Sequence, residues 1–248
     1  MLIALDAGNS RIKWAVHDGV AWCAQGRVAT HAPDAAQQLA AALSAWPAAT
    51  PVVGCNVAGP ALAAALENAL TQAGLSAPDW LRPAASACSV RNGYREPERL
   101  GADRWAALLG ARALGMGDCL VVCAGTATTV DRLSAAGDFL GGLILPGFDL
   151  MRRALAGNTA QLPLVAGDFT LEPKSTADAI ASGCLFAQLG AIERMFVPLA
   201  EKPGACCLLT GGGAELLSAH LQLPWRRVDS LILDGLRSYA AERLRIKP

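Results

Sequence analysis

Net charge is the first thing this 248-residue sequence lacks: 21 Lys and Arg balance 21 Asp and Glu, and only 17% of residues are charged. Polyphosphate chains and anionic bilayers select basic surfaces, so neither nucleic-acid nor membrane-surface binding is indicated. No uninterrupted apolar run reaches the roughly 18 residues needed to span a bilayer. No basic segment precedes the N-terminal apolar run, which Asp6 interrupts early, so a secretory signal is not expected. The eight cysteines contain no C-x-x-C spacing, and Cys206 and Cys207 are adjacent, which removes the usual metal-binding frameworks. Cys119, Cys123, Cys206 and Cys207 lie in apolar runs, where a thiol behaves as a small hydrophobe; reduced thiols and a cytoplasmic location follow as expectations. The three histidines, His17, His31 and His220, share no motif with a Ser or Asp nucleophile, so a hydrolase triad has no support and all three are expected in solvent. Low-complexity linkers are also absent.

What is present begins at residue 2. Leu2-Ile-Ala-Leu-Asp6-Ala-Gly8-Asn9-Ser10-Arg11-Ile-Lys13-Trp14 reads as a buried strand that ends on a carboxylate and enters a tight turn. Gly8 has no Cβ and lets backbone approach a ligand closely. Asn9, Ser10 and the turn's N–H groups can donate to phosphate oxygens, and Asp6 can hold a divalent cation through water. This is a phosphate-binding hairpin without a P-loop. The pattern returns at Cys119-Leu-Val-Val-Cys123-Ala-Gly125-Thr126-Ala-Thr128-Thr129-Val-Asp131, where alignment of Asp6-Ala-Gly8-Asn9 with Cys123-Ala-Gly125-Thr126 offsets the halves by 117 residues.

Strands and Ala-rich helices alternate along the rest. Strands are expected at 2–5, 13–16, 21–27, 52–57, 120–122, 128–133, 142–145 and 207–210. Helices are expected at 35–46, 60–72, 105–114, 148–155, 176–200 and 214–219, and 82–100 reads as a loop. Alternating β and α elements with antiparallel openings to each half predict an α/β fold with mixed sheets. The expected boundary divides the chain into domains 1–117 and 118–248.

The paired hairpins resemble the actin-like and acetate-and-sugar-kinase superfamily. That resemblance implies two duplicated, ribonuclease H-like domains with a nucleotide cleft between them. The middle of the chain narrows the likeness. Tyr94-Arg95-Glu96-Pro97-Glu98-Arg99-Leu100-Gly101-Ala102-Asp103-Arg104-Trp105, Gly141-Gly142 through Pro146-Gly147, and Leu155 followed by Thr159-Ala160-x-Leu162-Pro163 stand in the order of a type III pantothenate kinase. Nearly the whole chain is covered. The resemblance implies ATP-dependent phosphorylation of pantothenate, the first step of coenzyme A biosynthesis, by a cytoplasmic homodimer. It implies ATP contacts at Asp6, Ala7, Gly8, Asn9, Ser10, Arg11, Ile12, Lys13 and Thr126, with Mg²⁺ held by Asp6 through water. Pantothenate contacts fall on Tyr94, Gly101, Ala102, Asp103, Arg104 and Thr176, and Asp103 is the general base. Asp is also a favoured helix N-cap, which is the structural alternative for Asp103. The Gly211-Gly212-Gly213 turn would lie against adenosine.

One position departs from the family. An Asp that holds K⁺ or NH₄⁺ is usual where this chain has Cys123, and a soft, neutral thiol is a poor ligand for a hard alkali cation. Two other readings remain open from sequence: another small-molecule kinase of the same superfamily, and a non-catalytic regulatory binding protein.

Overall fold

The computed structural model describes residues 1–158 and 166–244, so Thr159-Ala160-x-Leu162-Pro163 lies outside the described residues. The chain forms two compact units, Met1–Gly115 with Ser230–Pro248, and Met116–Asp229.

In the first unit β1 (Leu2–Ala7) is the central strand. Every residue of β1 is buried, as expected of a strand covered on both faces. It pairs antiparallel with β2 (Arg11–His17), which pairs antiparallel with β3 (Trp22–Ala29). On its other side β1 runs parallel to β4 (Val52–Asn56), and β4 to the short β5 (Asp79–Trp80). Helices α1 (Ala35–Leu43) and α2 (Pro60–Gln72) connect these strands. Ala35, Ala36, Leu39, Ala40 and Leu43 form the buried stripe of α1 and pack with Ile3, Leu5, Ile12, Leu66 and Leu70 in one core. The first helix ends three residues short of the expected Trp46, because the Ser44 hydroxyl bonds back to the Ala41 carbonyl before Pro47.

The 82–100 segment is not a plain loop. It contains the hairpin β6 (Ser86–Ala87) and β7 (Val90–Asn92) and a short 3₁₀ turn at Pro97–Arg99. Helix α3 (Ala102–Ala113) then starts three residues earlier than expected, with Gly101 as its N-cap.

The second unit repeats the plan. Strand β8 (Cys119–Ala124) is central, β9 (Ala127–Leu133) and β10 (Asp138–Pro146) join it antiparallel on one side, and β11 (Cys206–Thr210) and β12 (Trp225–Arg227) join parallel on the other. The runs β3-β2-β1-β4-β5 and β10-β9-β8-β11-β12 correspond strand for strand: each central strand has two antiparallel neighbours in succession on one side and two parallel ones on the other. Helices α4 (Phe148–Asn158), α5 (Thr176–Phe196) and α6 (Ala214–Ser218) complete the unit.

The helical stretch Thr176–Leu199 is long and apolar enough to cross a membrane by length and composition alone, a property that a search for unbroken apolar runs misses. In the fold its Leu185, Leu189, Ile192 and Phe196 pack into the second unit's core with Leu120, Val122 and Leu209. The buried Gln188 amide on the same helix donates to the Pro146 carbonyl at 2.7 Å.

Helix α7 (Leu231–Leu244), absent from the sequence reading, returns the chain to the first unit. It crosses α3 at Gly110 and Gly235, and both helices lie against β1 and β4 or their neighbours. A Cβ on Gly235 would collide with the Ala106 carbonyl, and one on Gly110 with the Leu231 carbonyl. The crossing therefore brings backbone onto backbone.

Candidate active site

Each half opens with a hairpin whose turn is closed by a glycine N–H. Gly8 N donates to the Arg11 carbonyl at 3.1 Å, and Gly125 N to the Ala127 carbonyl at 3.0 Å. Thr30, beyond β3, braces the first turn: its hydroxyl donates to the Gly8 carbonyl at 2.7 Å and its N–H to the Ser10 carbonyl at 3.1 Å. Asn9, Ser10 and Arg11 are exposed on the turn, whereas the Ala7 and Ile12 side chains are fully buried register partners. Those two positions can meet a ligand only through backbone.

Asp6 lies at the end of β1 with 7% of its surface exposed. Its register partner across β1 and β2 is Lys13, whose Nζ stands 3.6 Å from Asp6 Oδ2. Its partner across β1 and β4 is Cys55, whose buried thiol donates to Asp6 Oδ1 at 3.6 Å. Burial raises the proton affinity of Asp6 above the ordinary carboxylate value, Lys13 opposes the rise, and the charge of Asp103 adds to it. Two carboxylates from distant parts of the chain thus share one electrostatic environment. Among the described residues no three His, Cys, Asp or Glu side chains cluster as a metal cage. One or two carboxylates suit Mg²⁺, which keeps several waters and takes the rest of its shell from phosphate.

Asp103 sits in the first turn of α3, and the helix N-cap is Gly101. Asp103 Oδ1 accepts from the Arg104 N–H at 2.8 Å, leaving the carboxylate at the positive end of the helix without serving as its cap. Arg104 is buried, with 4% exposed. Its Nη1 donates to the Tyr94 hydroxyl at 2.7 Å, and its guanidinium carbon lies 5.5 Å from the Tyr94 ring centroid. Tyr94 is held in turn by Asn92: the Asn92 side-chain oxygen accepts from Tyr94 N at 3.1 Å, and its amide donates to the Ala84 and Pro97 carbonyls. Sequence reasoning missed Asn92, Thr30 and Cys55. The Asn92-Gly93 dipeptide is a turn signal that could have marked the first of them.

In the second unit Gly147 N donates to the Thr126 carbonyl at 2.8 Å, and Gly213 N to the Ala124 carbonyl at 3.0 Å. Gly211 has φ of +95°, and a Cβ there would collide with the Ala124 carbonyl. The glycine turn after β11 is therefore in direct backbone contact with Ala124, the end of β8 from which the Gly125-Thr126 turn starts. Thr126 is exposed, and Cys123 is half-buried between its register partners Thr129 and Thr210. Thr176 is exposed at the first position of α5, whose cap is Ser175, accepting from Asp178 N at 3.1 Å. The structure thus groups Asp6, Lys13, Tyr94, Asp103 and Arg104 in the first unit and places Thr126 and Thr176 in the second.

The histidine expectation holds only in part. His31 is exposed, but His17 is 7% exposed, accepts from Gly19 N at 3.1 Å and meets Trp22 edge-on, so its surroundings lower its proton affinity chiefly by burial. His220 is half-buried against Phe169.

Comparison with known proteins accords with this geometry. The family profile of type III pantothenate kinases matches residues 2–197. A type III pantothenate kinase of Aromatoleum aromaticum is 57% identical over 98% of both chains. One of Azoarcus sp. is 51% identical over 97% of this chain and 91% of its own. Among solved structures, a protein described as a putative Baf family transcriptional activator of Campylobacter jejuni superposes with a TM-score of 0.63, 20% identity, and 99% and 100% coverage of the two chains. A putative 2-dehydro-3-deoxygalactonokinase of Sinorhizobium meliloti has the same TM-score and identity, covering 97% of this chain and 98% of its own. The fold of the superfamily and near-full-length identity to named relatives converge on one assignment: the chain belongs to the type III pantothenate kinase family.

Proposed function

We propose that this protein transfers the γ-phosphate of ATP to pantothenate, yielding 4′-phosphopantothenate for coenzyme A synthesis. The observation that carries the reading is the first unit's constellation: a buried Asp6 that feels the charge of Asp103, beside an Arg104 bonded to Tyr94. Phosphoryl transfer asks a protein mostly to position reactants and stabilise charge. Asp103 receives the proton of the acceptor hydroxyl as general base. Arg104, already oriented by Tyr94, offers its remaining N–H groups to the pantothenate carboxylate or the transferring phosphoryl group. Gly101 and Ala102 set the approach to that helix end, and Thr176 supplies a hydroxyl to pantothenate. The turn at Gly8, Asn9, Ser10 and Arg11 and the turn at Gly125 and Thr126 donate to phosphate oxygens. Asp6 would hold Mg²⁺, which would supply neutralisation of phosphate charge. Lys13 acts first on Asp6, its ion-pair partner, and restrains the rise in its proton affinity.

The functional protein is read as a cytoplasmic homodimer. A coupled ADP-release assay with pantothenate and a panel of sugars tests the substrate assignment. Turnover with pantothenate alone is expected; turnover with a sugar, or with no acceptor, overturns it.

The cation follows from Cys123. With a thiol where a carboxylate is usual, K⁺ or NH₄⁺ should change activity little at fixed ionic strength, with choline as the control. Cys123→Asp should create a K⁺ response. Strong K⁺ activation of the unmodified protein would assign the cation to other oxygen ligands.

A further inference from the structure

The turn before the substrate loop is made by residues unsuited to it. The β6–β7 hairpin turns through Cys88 and Ser89, both in the left-handed region with φ of +47° and +59°. Such two-residue turns favour Asn-Gly or Asp-Gly, because most side chains resist positive φ. The hairpin that must hold this turn is short: Ser86 pairs with Arg91 and Ala87 with Val90, and the Asn92 N–H adds a bond to the Ala85 carbonyl at 2.9 Å. A group from outside the hairpin adds a restraint at the turn itself. Glu242, in the last turn of α7, accepts the Cys88 N–H on both carboxylate oxygens, at 3.1 and 3.0 Å, and lies 3.5 Å from the Cys88 thiol. The neighbouring Arg243 ties the same helix end to Asp79 of β5 at 2.8 Å.

The hairpin leads directly to the proposed substrate residues. Strand β7 ends at Asn92, which holds Tyr94 N and, through Pro97, the start of the turn into α3; Tyr94 then orients Arg104. We propose that Glu242 is a positioning residue for pantothenate: by clamping the strained Cys88-Ser89 turn it fixes the hairpin from which Tyr94, and through it Arg104, is presented. Helix α7 lies beyond residues 2–197, the stretch that the family profile covers, so this role belongs to a part of the chain that the profile leaves unread. The inference rests on Tyr94 and Arg104 contacting pantothenate, and its test separates the two claims.

Steady-state kinetics of the full-length enzyme supply that test, with Tyr94→Ala as the check on the site. Glu242→Ala should raise KM for pantothenate about 5- to 30-fold, the scale expected when charge-assisted bonds to a backbone donor are lost. The KM for ATP and kcat should stay within about twofold, as loss of substrate positioning rather than of chemistry requires. Glu242→Gln, which keeps an oxygen acceptor, should fall between. The decisive arm replaces the turn with one that adopts positive φ readily, Cys88→Asn with Ser89→Gly. In that background Glu242→Ala should cost less than about twofold, because the clamp has little strain left to hold. An equal effect in both backgrounds, or a fall in kcat with unchanged KM, overturns the clamp and makes Glu242 a general stabiliser. If Tyr94→Ala raises KM for pantothenate and Glu242→Ala does not, the clamp alone fails. If Tyr94→Ala leaves that KM unchanged, the site reading fails and takes the clamp with it.

Discussion

Asp103 and Asp6 divide the work of the first unit, and the environment of each dictates what an amide substitution will do. Asp103→Asn retains an oxygen that can accept the Arg104 N–H, so α3 should form as before. It cannot take a proton, and kcat should fall by about 10²–10⁴, the usual cost of removing a general base. ATP binding should be nearly unchanged in a calorimetric titration. Wild-type turnover in this variant would remove Asp103 from the chemistry. Asp6→Asn should behave differently, because the ionised Asp6 is itself a burden on the fold. Its proton affinity is raised above the ordinary value of 3.8, first by burial, so the folded state disfavours its charge. For a carboxylate raised in this way, stability is lost as pH climbs from 3.8 through the folded-state value and stays lost at neutral pH. Metal-free Asp6→Asn should therefore unfold at a higher temperature than wild type at pH 7, while its Mg²⁺-dependent turnover drops. Thermal scans in chelator, set beside activity at saturating Mg²⁺, check both halves. A variant that is less stable and fully active would make Asp6 a structural strand-end residue.

At the scale of elements, the site depends on where α3 sits, and α7 decides that. Gly110 and Gly235 allow the two helices to touch through backbone, and Gly235→Ala would place a methyl group against the Ala106 carbonyl. No flexible side chain stands there to move aside. The helices must separate, at a cost of about 1–3 kcal/mol typical of overpacking. Because Asp103 and Arg104 ride on α3, kcat/KM should fall more than the loss of stability alone explains; normal kinetics in the folded fraction would show that α3 tolerates the shift. The sequence made the two hairpins, their glycine turns, the central strands and α2 legible, because each combines a short apolar run with a Gly, Asn or Pro boundary. It did not disclose α7, whose Asp234, Gly235, Arg237 and Ser238 interrupt the apolar pattern. The small residues that weaken its helical signature are partly those that let it approach α3. Nor could it disclose Cys55 and Asn92, whose roles arise from register and from a hairpin with only two and three residues per strand. Asp103 was legible by motif, yet its distinction from an N-cap required the helix to begin at Ala102.

The two units share a strand plan, but they differ in what they leave uncovered. Among the described residues every strongly exposed large hydrophobic side chain apart from Met1 and Val20 lies in the second unit: Leu140, Leu143 and Ile144 on β10, Leu150 and Leu155 on α4, Leu171, Phe186, Val197 and Trp225. Single exposed apolar residues are ordinary, but their bias to one unit makes that unit the better candidate for association. The first unit, which carries the carboxylates, has no such excess, so the asymmetry is not a general consequence of a 53% hydrophobic composition. The homodimer proposed for this protein is therefore expected to form through the second unit, with α4 and α5 contributing. Phe186 is 45% exposed and tests this expectation without touching the first unit's site. Sedimentation equilibrium should report a dimer of the 25.6 kDa chain. Phe186→Glu should move the equilibrium towards monomer, because a charge buried in an apolar interface is costly unless it is paired. Should the unmodified chain sediment as a monomer, the homodimer is wrong; should Phe186→Glu remain fully dimeric, the contact lies away from this part of α5.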